Sequence, residues 1–286
     1  MIGVGLLGGS LGLALRKRSL AGEVHGYVRR ESSIAECVAA GAVDRATLDL
    51  PGAVDNADLV VFCTPLAQME ELANVAASRV RKGALITDVG SVKQRLVSQL
   101  EPVFAARGAS FIGSHPMAGS EKMGVSAARV DLFQNAICVV TPTATSPAER
   151  VDETEALWRE VGGRIMRMSP EMHDQLVARS SHLPHVLAAN LTAFVLGDGS
   201  VEQAKLCANG FKDSTRIASG SPEMWRDIVL MNRENLKNGL EEFSSKLDEF
   251  RDLLEKDDPA LVEAFFQHAK ELRDTWVNRC SSSSPE

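Results

Sequence analysis

Three glycines near the start of the chain have the spacing of a turn that binds a dinucleotide. Gly3, Gly5 and Gly8 form a G-x-G-x-x-G pattern, in which the missing side chains allow a tight turn and a close approach of the backbone to a pyrophosphate. A helix predicted over residues 10–18 would point its first amides at the phosphates. The candidate cofactor-binding residues here are Gly3, Gly5, Leu6, Leu7 and Gly8, joined by Thr64 and Pro65 after a later strand.

The glycine pattern alone is a weak signal, because glycines between a strand and a helix can be purely structural. Here a helix, a strand and several further βα units follow, and this context favours cofactor binding. The strand before the glycines should have about five residues, yet only Met1 and Ile2 precede Gly3. Either residue 1 is not the natural start, or the first strand is clipped.

The residues after the second strand indicate which cofactor is bound. An acidic residue there would hydrogen-bond the 2′-hydroxyl of NAD, but the sequence has Val28-Arg29-Arg30. Two guanidinium groups are available for a 2′-phosphate, and Glu31 comes too late. We therefore favour NADP over NAD, with Arg29 and Arg30 as further cofactor-binding candidates. The alternative is that both arginines are ordinary solvated surface.

Short apolar runs alternate with helix-like stretches through the first half of the chain. This alternation predicts βαβ units around a parallel sheet. A later helix and strand, at 147–161 and 164–168, are expected to extend the same sheet. The strand-like runs are 24–28, 59–63, 84–87, 110–112 and 136–140, and the helix-like stretches between them are 32–40, 66–79 and 92–106.

The pattern changes after Ser169-Pro170, where helical periodicity replaces strand signals. The predicted fold is an α/β, Rossmann-like dinucleotide-binding domain over 1–168 and an all-α domain over 169–286. A helical half beside a dinucleotide domain often supplies both the substrate cleft and a dimer interface. The leucines and phenylalanines between 236 and 254 recur at three- and four-residue spacing, which is typical of a helix with one buried face.

Composition excludes several classes of protein. The formal net charge is -7, which argues against nucleic acid as a main partner, because phosphate binding needs a basic surface. The five cysteines include no C-x-x-C pair, so a reduced compartment, the cytoplasm, is expected. The apolar start lacks the charge order and cleavage site of a signal peptide, and no stretch is long enough to span a membrane.

Five segments that can carry a family resemblance occur in order along nearly the whole chain. They are Gly5-Leu-Leu-Gly-Gly-Ser10, Thr87-Asp-Val-Gly-Ser-Val-Lys93, Gly113-Ser-His-Pro-Met-Ala-Gly119, Ser181-His-Leu-Pro-His185 and Gly210-Phe-Lys-Asp-Ser-Thr-Arg216. Together they closely resemble the prephenate/arogenate dehydrogenase family. The resemblance implies an NAD(P)-dependent oxidative decarboxylation in tyrosine biosynthesis: hydride leaves the carbinol carbon of a cyclohexadienol, and the ring carboxylate leaves as carbon dioxide. It also implies a homodimer.

The resemblance implies that His115 is the family's catalytic histidine, followed by Pro116. It comes after the predicted strand 110–112, at the carboxyl edge of the sheet where ligands gather. A neutral imidazole can accept a hydroxyl proton near physiological pH. Ser91 follows another strand end and could hydrogen-bond the same hydroxyl or the nicotinamide. Its alternative role is the N-cap of the next helix, and one serine could do both.

Other positions are implied to bind the substrate. Arg216 matches the family's carboxylate-binding arginine, and a guanidinium fork suits a carboxylate. The sequence departs from the family at Lys212, which we assign no direct contact. Ser120 and Glu121 are expected to line or gate the cleft, and Trp225 to reach it across a dimer.

His182 and His185 lie three residues apart, so they share a face of a helix. Such a pair can indicate a metal, but no further His or Cys lies at ligand spacing, and no metal site is expected. The resemblance implies instead that this segment faces the cleft. His25, His173 and His268 lie in no motif, and surface or core packing is expected for them.

Two other functions stay open at this point. A β-hydroxyacid dehydrogenase would need a catalytic lysine on the helix after the sheet domain, where this chain has the histidine pair. A non-catalytic NAD(P)-binding sensor could lose His115, Ser91 or Arg216, and all three are present. The residues do not separate prephenate from arogenate, and prephenate is the default expectation.

Overall fold

The computed structural model describes residues 1–120 and 122–282, with side chains through 279. By contacts within the chain it divides into one compact unit over Met1–Asn235 and a second from Leu236 onward. This division by contacts does not test the predicted domain boundary between residues 168 and 169, which stays a prediction. All residues of the site described below belong to the first unit.

A parallel sheet forms the first part of the chain. Its strands are β1 (His25–Tyr27), β2 (Arg45–Thr47), β3 (Leu59–Phe62), β4 (Leu85–Asp88) and β5 (Ser110–Phe111). Ile2 forms parallel bridges to Tyr27 and to Phe62, so it joins β1 to β3 and gives the order β2-β1-Ile2-β3-β4-β5. The position of the first Rossmann strand is thus held by this single bridged residue, directly before the glycine turn.

Six helices connect these strands and the next sheet. They are α1 (Leu6–Lys17), α2 (Ser32–Ala39), α3 (Leu50–Val54), α4 (Leu66–Ala76), α5 (Gln94–Ala105) and α6 (Ala148–Glu160). Helix α1 begins at Leu6, four residues earlier than predicted, so the glycine turn forms its first turn. The short elements β2 and α3 were not predicted, because three- to five-residue elements give little periodicity.

A second, separate sheet contains β6 (Gly113–Pro116), β7 (Ile137–Thr141) and β8 (Arg164–Arg167). Strand β6 runs antiparallel to β7, and β7 runs parallel to β8. The expectation that the last βα unit extends the first sheet is therefore wrong. Because β5 has only two residues, the chain leaves the first sheet at Ile112 and pairs with β7. His115 consequently lies inside a strand, not in a loop.

The helices that follow have the predicted all-α character. They are α7 (Pro170–Val177), a π-helical turn (Ala178–His182), α8 (Leu183–Leu196), α9 (Val201–Lys205), α10 (Asn209–Thr215), a 3₁₀ turn (Arg216–Ser219), α11 (Pro222–Met231), α12 (Arg233–Leu254) and α13 (Pro259–Ser282). No helix in the described ranges is both long and apolar enough to cross a bilayer.

Two apolar clusters hold the first unit together. One includes Phe62, Phe104 and Phe111, whose neighbouring ring centroids lie 6.0 and 6.3 Å apart. Ile228 of α11 is buried in the same cluster, and Trp225 packs against it. The helix that carries Trp225 is therefore fixed to the core of the nucleotide-binding sheet.

Helix α1 approaches the chain after α2 so closely that only glycine fits at position 12. A Cβ atom there would lie 1.9 Å from the carbonyl oxygen of Ala42, which is backbone and cannot rotate away. We expect Gly12→Ala to lower the free energy of unfolding by roughly 2 kcal/mol, since the clash outweighs alanine's better helix propensity. Urea denaturation measures this. Gly22→Ala is the control, because no atom lies within 4 Å of its Cβ position. Equal stability of the two variants would contradict the packing described.

Candidate functional site

His115 lies on β6 with its side chain against a second histidine. Its Nδ1 atom is 2.9 Å from Nε2 of His173, and the two rings meet edge to face, with centroids 5.1 Å apart. His173 comes from α7 and is fully buried. Its Nδ1 atom is 2.7 Å from Oδ1 of Asp174. We call His115, His173 and Asp174 the histidine row.

Helix α7 carries His173 and Asp174, and both side chains are buried in the protein interior. The helix begins at Pro170, a residue suited to the first helical position, and the hydroxyl of Ser169 accepts a hydrogen bond from the amide of Met172 at 3.2 Å. A position on the surface or packing in the core was expected for His173. It is indeed buried, but the contact with His115 joins positions 58 residues apart in sequence, which spacing could not reveal.

The carboxylate of Asp174 also caps helix α5. The amide of Lys93 donates to Oδ1 at 2.8 Å, and the amide of Gln94 donates to Oδ2 at 2.9 Å. The residue before the first turn of α5 is Lys93, and its side chain does not cap the helix. The alternative role of Ser91 as this N-cap is therefore wrong, because the helix begins at Gln94 and takes its cap from α7. Ser91 is half-buried in the preceding loop.

The end of β4 is tied directly to β6. Oδ1 of Asp88 accepts from the amide of Ser114 at 3.0 Å, and the Ser114 hydroxyl donates to the carbonyl of Asp88 at 2.6 Å. Ser91 follows Asp88 by three residues, and His115 follows Ser114. The two predicted catalytic side chains thus emerge from neighbouring points of the structure.

A buried ion pair lies beneath this junction. Nζ of Lys93 binds Oδ2 of Asp88 and donates to the carbonyl of Ser114 at 2.8 Å. Both side chains are fully buried. Burial lowers the pKa of the Lys93 amine, and the carboxylates of Asp88 and Asp174 oppose that shift. Lys93 is the last residue of the segment from Thr87 that resembles the family, but no role was predicted for it.

The surroundings of His115 keep its imidazole neutral. Its pKa is lowered well below the ordinary value of 6.5, chiefly by burial and then by His173, Lys93 and His182. A neutral ring at pH 7 has one nitrogen able to accept a proton. Of the two ring nitrogens of His115, only Nδ1 has a hydrogen-bond partner among the described residues.

A second group of side chains gathers around Trp225. The ring of His185 stacks on Trp225, with centroids 3.7 Å apart, and His182 meets the same indole edge-on at 6.2 Å. The π-helical turn before α8 brings both histidines to this side, which suits the frequent use of such turns at functional sites. Trp225 was expected across a dimer, but it makes these contacts within one chain.

Arg216 and His185 lie at the exposed end of this group. Arg216 is exposed at the start of its 3₁₀ turn. Burial lowers the pKa of His185, the guanidinium of Arg216 lowers it further, and a hydrogen bond to the Ser181 carbonyl opposes both. The structure therefore places His182, His185, Trp225 and Arg216 near one another. All four are candidates for the substrate site, and that role stays a prediction.

Asn232 connects the two groups and was not predicted. Its amide nitrogen donates to the carbonyl of Asp174 at 2.8 Å and lies 3.1 Å from Nδ1 of His182. Burial lowers the pKa of His182 to about 4, so this ring is neutral at physiological pH. An asparagine in a helical region carries no sequence signal for such a bridge.

The glycine turn has the shape needed for a dinucleotide. Gly3 has a φ of +94°, which favours glycine, and a Cβ at Gly8 would lie 2.2 Å from the carbonyl oxygen of Gly3. No atom lies within 4 Å of a Cβ built on Gly5, and no side chain caps α1 there. The hydroxyl of Thr64 is buried beside Gly3 and has no partner in the described residues. These features fit a pyrophosphate held by backbone amides.

The remaining candidates lie at the edges. Leu6 and Leu7 are half-buried in the first turn of α1, and Pro65 is exposed before α4. Arg29 and Arg30 are exposed directly after β1.

Two candidates fall in the loop after β6. The hydroxyl of Ser120 is exposed and accepts from the Lys122 amide at 3.2 Å. Glu121 lies outside the described residues. Over the described part of the chain, no three His, Cys, Asp or Glu side chains gather as a metal site would require.

Comparison with known proteins identifies the family. A family model for the nucleotide-binding domain of prephenate dehydrogenase matches residues 11–167, and one for its dimerization domain matches 169–281. The chain belongs to the prephenate dehydrogenase family. The prephenate dehydrogenase of Bacillus subtilis strain 168 is 35% identical, over 96% of this chain and 74% of that protein.

Solved structures of the family match along the whole chain. Prephenate dehydrogenase from A. aeolicus, in complex with hydroxyphenyl propionate and NAD+, has a TM-score of 0.86 at 33% identity and covers 99% of this chain and 96% of its own. Synechocystis arogenate dehydrogenase has a TM-score of 0.83 at 28% identity, with 96% and 98% covered. The chain is thus an NAD(P)-dependent oxidoreductase of this family, and the family match decides against the β-hydroxyacid dehydrogenase and sensor alternatives.

The buried ion pair gives a stability prediction. Lys93→Met would leave the Asp88 carboxylate buried without its cation, so we expect the free energy of unfolding to fall by about 3–5 kcal/mol. Thermal or urea unfolding measures the loss. Lys246→Met is the matched control, because Lys246 pairs with Glu249 on the surface, where such a pair contributes about 0–1 kcal/mol. A Lys93 variant as stable as the Lys246 variant would show that the interior pair does not hold the junction.

Proposed function

We propose that this enzyme oxidatively decarboxylates prephenate to 4-hydroxyphenylpyruvate, with His115 as the general base. The observation that carries the proposal is the position of His115, neutral and with one ring nitrogen free, beside the end of the sheet that holds the glycine turn. Arogenate, which would yield tyrosine, is the second candidate substrate, because one structural relative is an arogenate dehydrogenase.

His115 would accept the hydroxyl proton of the substrate carbinol. The nicotinamide, when bound, accepts the hydride from the same carbon. Loss of the ring carboxylate as carbon dioxide then returns an electron pair to the ring and makes it aromatic. The proton on His115 goes back to the phenolate oxygen, so the overall reaction releases no net proton. Ser91, in the loop after β4, would hydrogen-bond the reacting hydroxyl or the nicotinamide.

Arg216 would bind a carboxylate of the substrate. Its guanidinium is exposed and close enough to lower the pKa of His185, and its planar fork can bind a carboxylate through two hydrogen bonds. His185, stacked on Trp225, and His182, edge-on to the same indole, would contact the ring and side chain of the substrate. Ser120 and Glu121 stay candidates for the rim of the cleft.

The cofactor is held by the glycine turn with α1, and Thr64 has the buried hydroxyl that could donate to it. Gly3, Gly5 and Gly8 would let the pyrophosphate approach the backbone, with Leu6, Leu7 and Pro65 around it. We favour NADP, because Arg29 and Arg30 follow β1 with exposed guanidinium groups. A homodimer is proposed from the dimerization-domain match, and the cytoplasm from the four described cysteines, all of them free thiols.

Turnover assays test the reaction. Prephenate and arogenate are each paired with NAD and NADP, and reduced nicotinamide is followed by its absorbance. We expect turnover with prephenate, and His115→Ala to lower kcat on the order of 10²–10⁴-fold, because a general base contributes that much. Cofactor binding, measured by fluorescence, should be unchanged in the variant. Binding of both cofactors without turnover in any pairing would refute the proposed reaction.

The cofactor preference has its own test. Arg29→Ala with Arg30→Ala should raise KM for NADP about 10–100-fold, since hydrogen bonds to charged groups contribute roughly 1.5–3 kcal/mol. KM for NAD should change little. Arg107→Ala, at an exposed arginine after α5, is the control for loss of surface charge. A wild-type enzyme that prefers NAD, or a double variant with an unchanged NADP-to-NAD ratio, would show that these arginines are solvated surface.

A further inference from the structure

The histidine row ends on a carboxylate that can only accept hydrogen bonds. Oδ1 of Asp174 accepts from the Lys93 amide at 2.8 Å, and Oδ2 accepts from the Gln94 amide at 2.9 Å. Both donors are backbone groups, so their direction is fixed. The third contact of this carboxylate, at 2.7 Å, is Nδ1 of His173. His173 and Asp174 are both buried, which leaves bulk water little access to either.

We propose that His173 is a positioning residue that holds His115 in the tautomer with its proton on Nδ1, and that Asp174 fixes the proton of His173 in turn. The proposal rests on the function proposed above for His115 and deepens it by naming which ring nitrogen is the base. That nitrogen is Nε2.

The hydrogen bonds along the row determine which nitrogen of His115 carries the proton. An ionised carboxylate has no proton to donate, so Nδ1 of His173 must carry one. In the proposed arrangement His173 is neutral and carries a single proton, which leaves its Nε2 without one. The 2.9 Å contact between the rings needs a donor, and the only atom that can supply it is Nδ1 of His115. Nε2 of His115 is therefore left with a lone pair.

The groups facing His115 oppose a second proton on its ring. From the start of α5, the Lys93 amine lies buried beneath the junction, paired with Asp88 of β4. From the π-helical turn, His182 faces the row as a neutral ring. Burial, His173, Lys93 and His182 each lower the pKa of His115. A proton on Nε2 of His173 would make His173 the donor in the 2.9 Å contact between the rings.

One carboxylate thus positions two parts of the site. Through α5 it fixes the start of the helix that follows Ser91, and through His173 it orients the ring of His115. The substrate hydroxyl lies between these two side chains in the proposed reaction. When Nε2 of His115 takes the hydroxyl proton, the imidazolium keeps its Nδ1–H bond to His173. Return of that proton to the phenolate oxygen restores the starting tautomer.

The tautomer can be observed directly. We would label the histidines of the full-length protein with nitrogen-15 and bind NADP, then record which nitrogen of each ring is coupled to a proton. His115 is assigned by the signal that disappears in His115→Ala. The expected result is a proton on Nδ1 and a bare Nε2 at neutral pH. A proton on Nε2 of His115 in the wild-type enzyme would overturn the proposal.

Two substitutions of His173 supply a kinetic test. His173→Gln keeps an amide that can donate to Asp174 and accept from His115, whereas His173→Leu removes both hydrogen bonds at similar volume. We expect His173→Leu to lower kcat on the order of 10²-fold or more with less than about a threefold change in KM. His173→Gln should recover at least about tenfold of that loss. His268→Ala, at an exposed histidine, should leave kcat unchanged.

The outcomes separate this proposal from the proposed function. A wild-type enzyme that turns over none of the four pairings refutes the function, while the nitrogen spectrum still decides the tautomer. Wild-type turnover with full activity in His173→Leu refutes the positioning role alone. Equal losses in the Leu and Gln variants, with NADP binding retained, would also overturn it, because they would assign His173 only to packing. If the Leu variant does not fold, the Gln variant and the wild-type spectrum still give the answer.

Discussion

The buried carboxylate of Asp174 is the constraint on which the site depends. Its oxygens accept hydrogen bonds from two amides of α5 and from His173, and its own backbone carbonyl accepts from Asn232. A buried charge with its hydrogen bonds unmade costs several kcal/mol, so these partners are held in place together. The nucleotide-binding sheet and the helical segment meet at this residue, and their relative placement sets the geometry of His115.

Charge burial explains why a histidine can act as a base here. The Lys93–Asp88 pair lies beneath β6 with no exposure, and its cation faces the same interior as the row. A second proton on His115 is opposed by burial first and then by His173, Lys93 and His182. The folded structure therefore keeps the ring of His115 neutral beside a buried ion pair.

Much of the fold could be predicted from the sequence, whereas the contacts that connect the site residues could not. Apolar runs and helical spacing located β1, β3, β4 and the helices α1, α2, α4, α5 and α6 within a few residues, because those elements have clear periodicity. Helices α7 to α11 were predicted only as part of an all-α region. The second sheet was missed, since nothing local shows that β6 turns to pair with β7. Motifs identified His115, the Trp225 group and the glycine turn. His173, Asp174 and Asn232 were missed because their function depends on contacts between distant segments, which a single sequence does not encode as spacing.

The most direct test of the account is a crystal structure of this enzyme with NADP and a substrate analogue that keeps the carbinol oxygen. We predict that Nε2 of His115 lies about 2.6–3.2 Å from that oxygen. Nδ1 of His115 should keep its hydrogen bond to His173, and Arg216 should bind a carboxylate of the analogue. A ring of His115 turned so that Nδ1 meets the oxygen, or one that has left His173, would contradict the central claim that the histidine row selects the base.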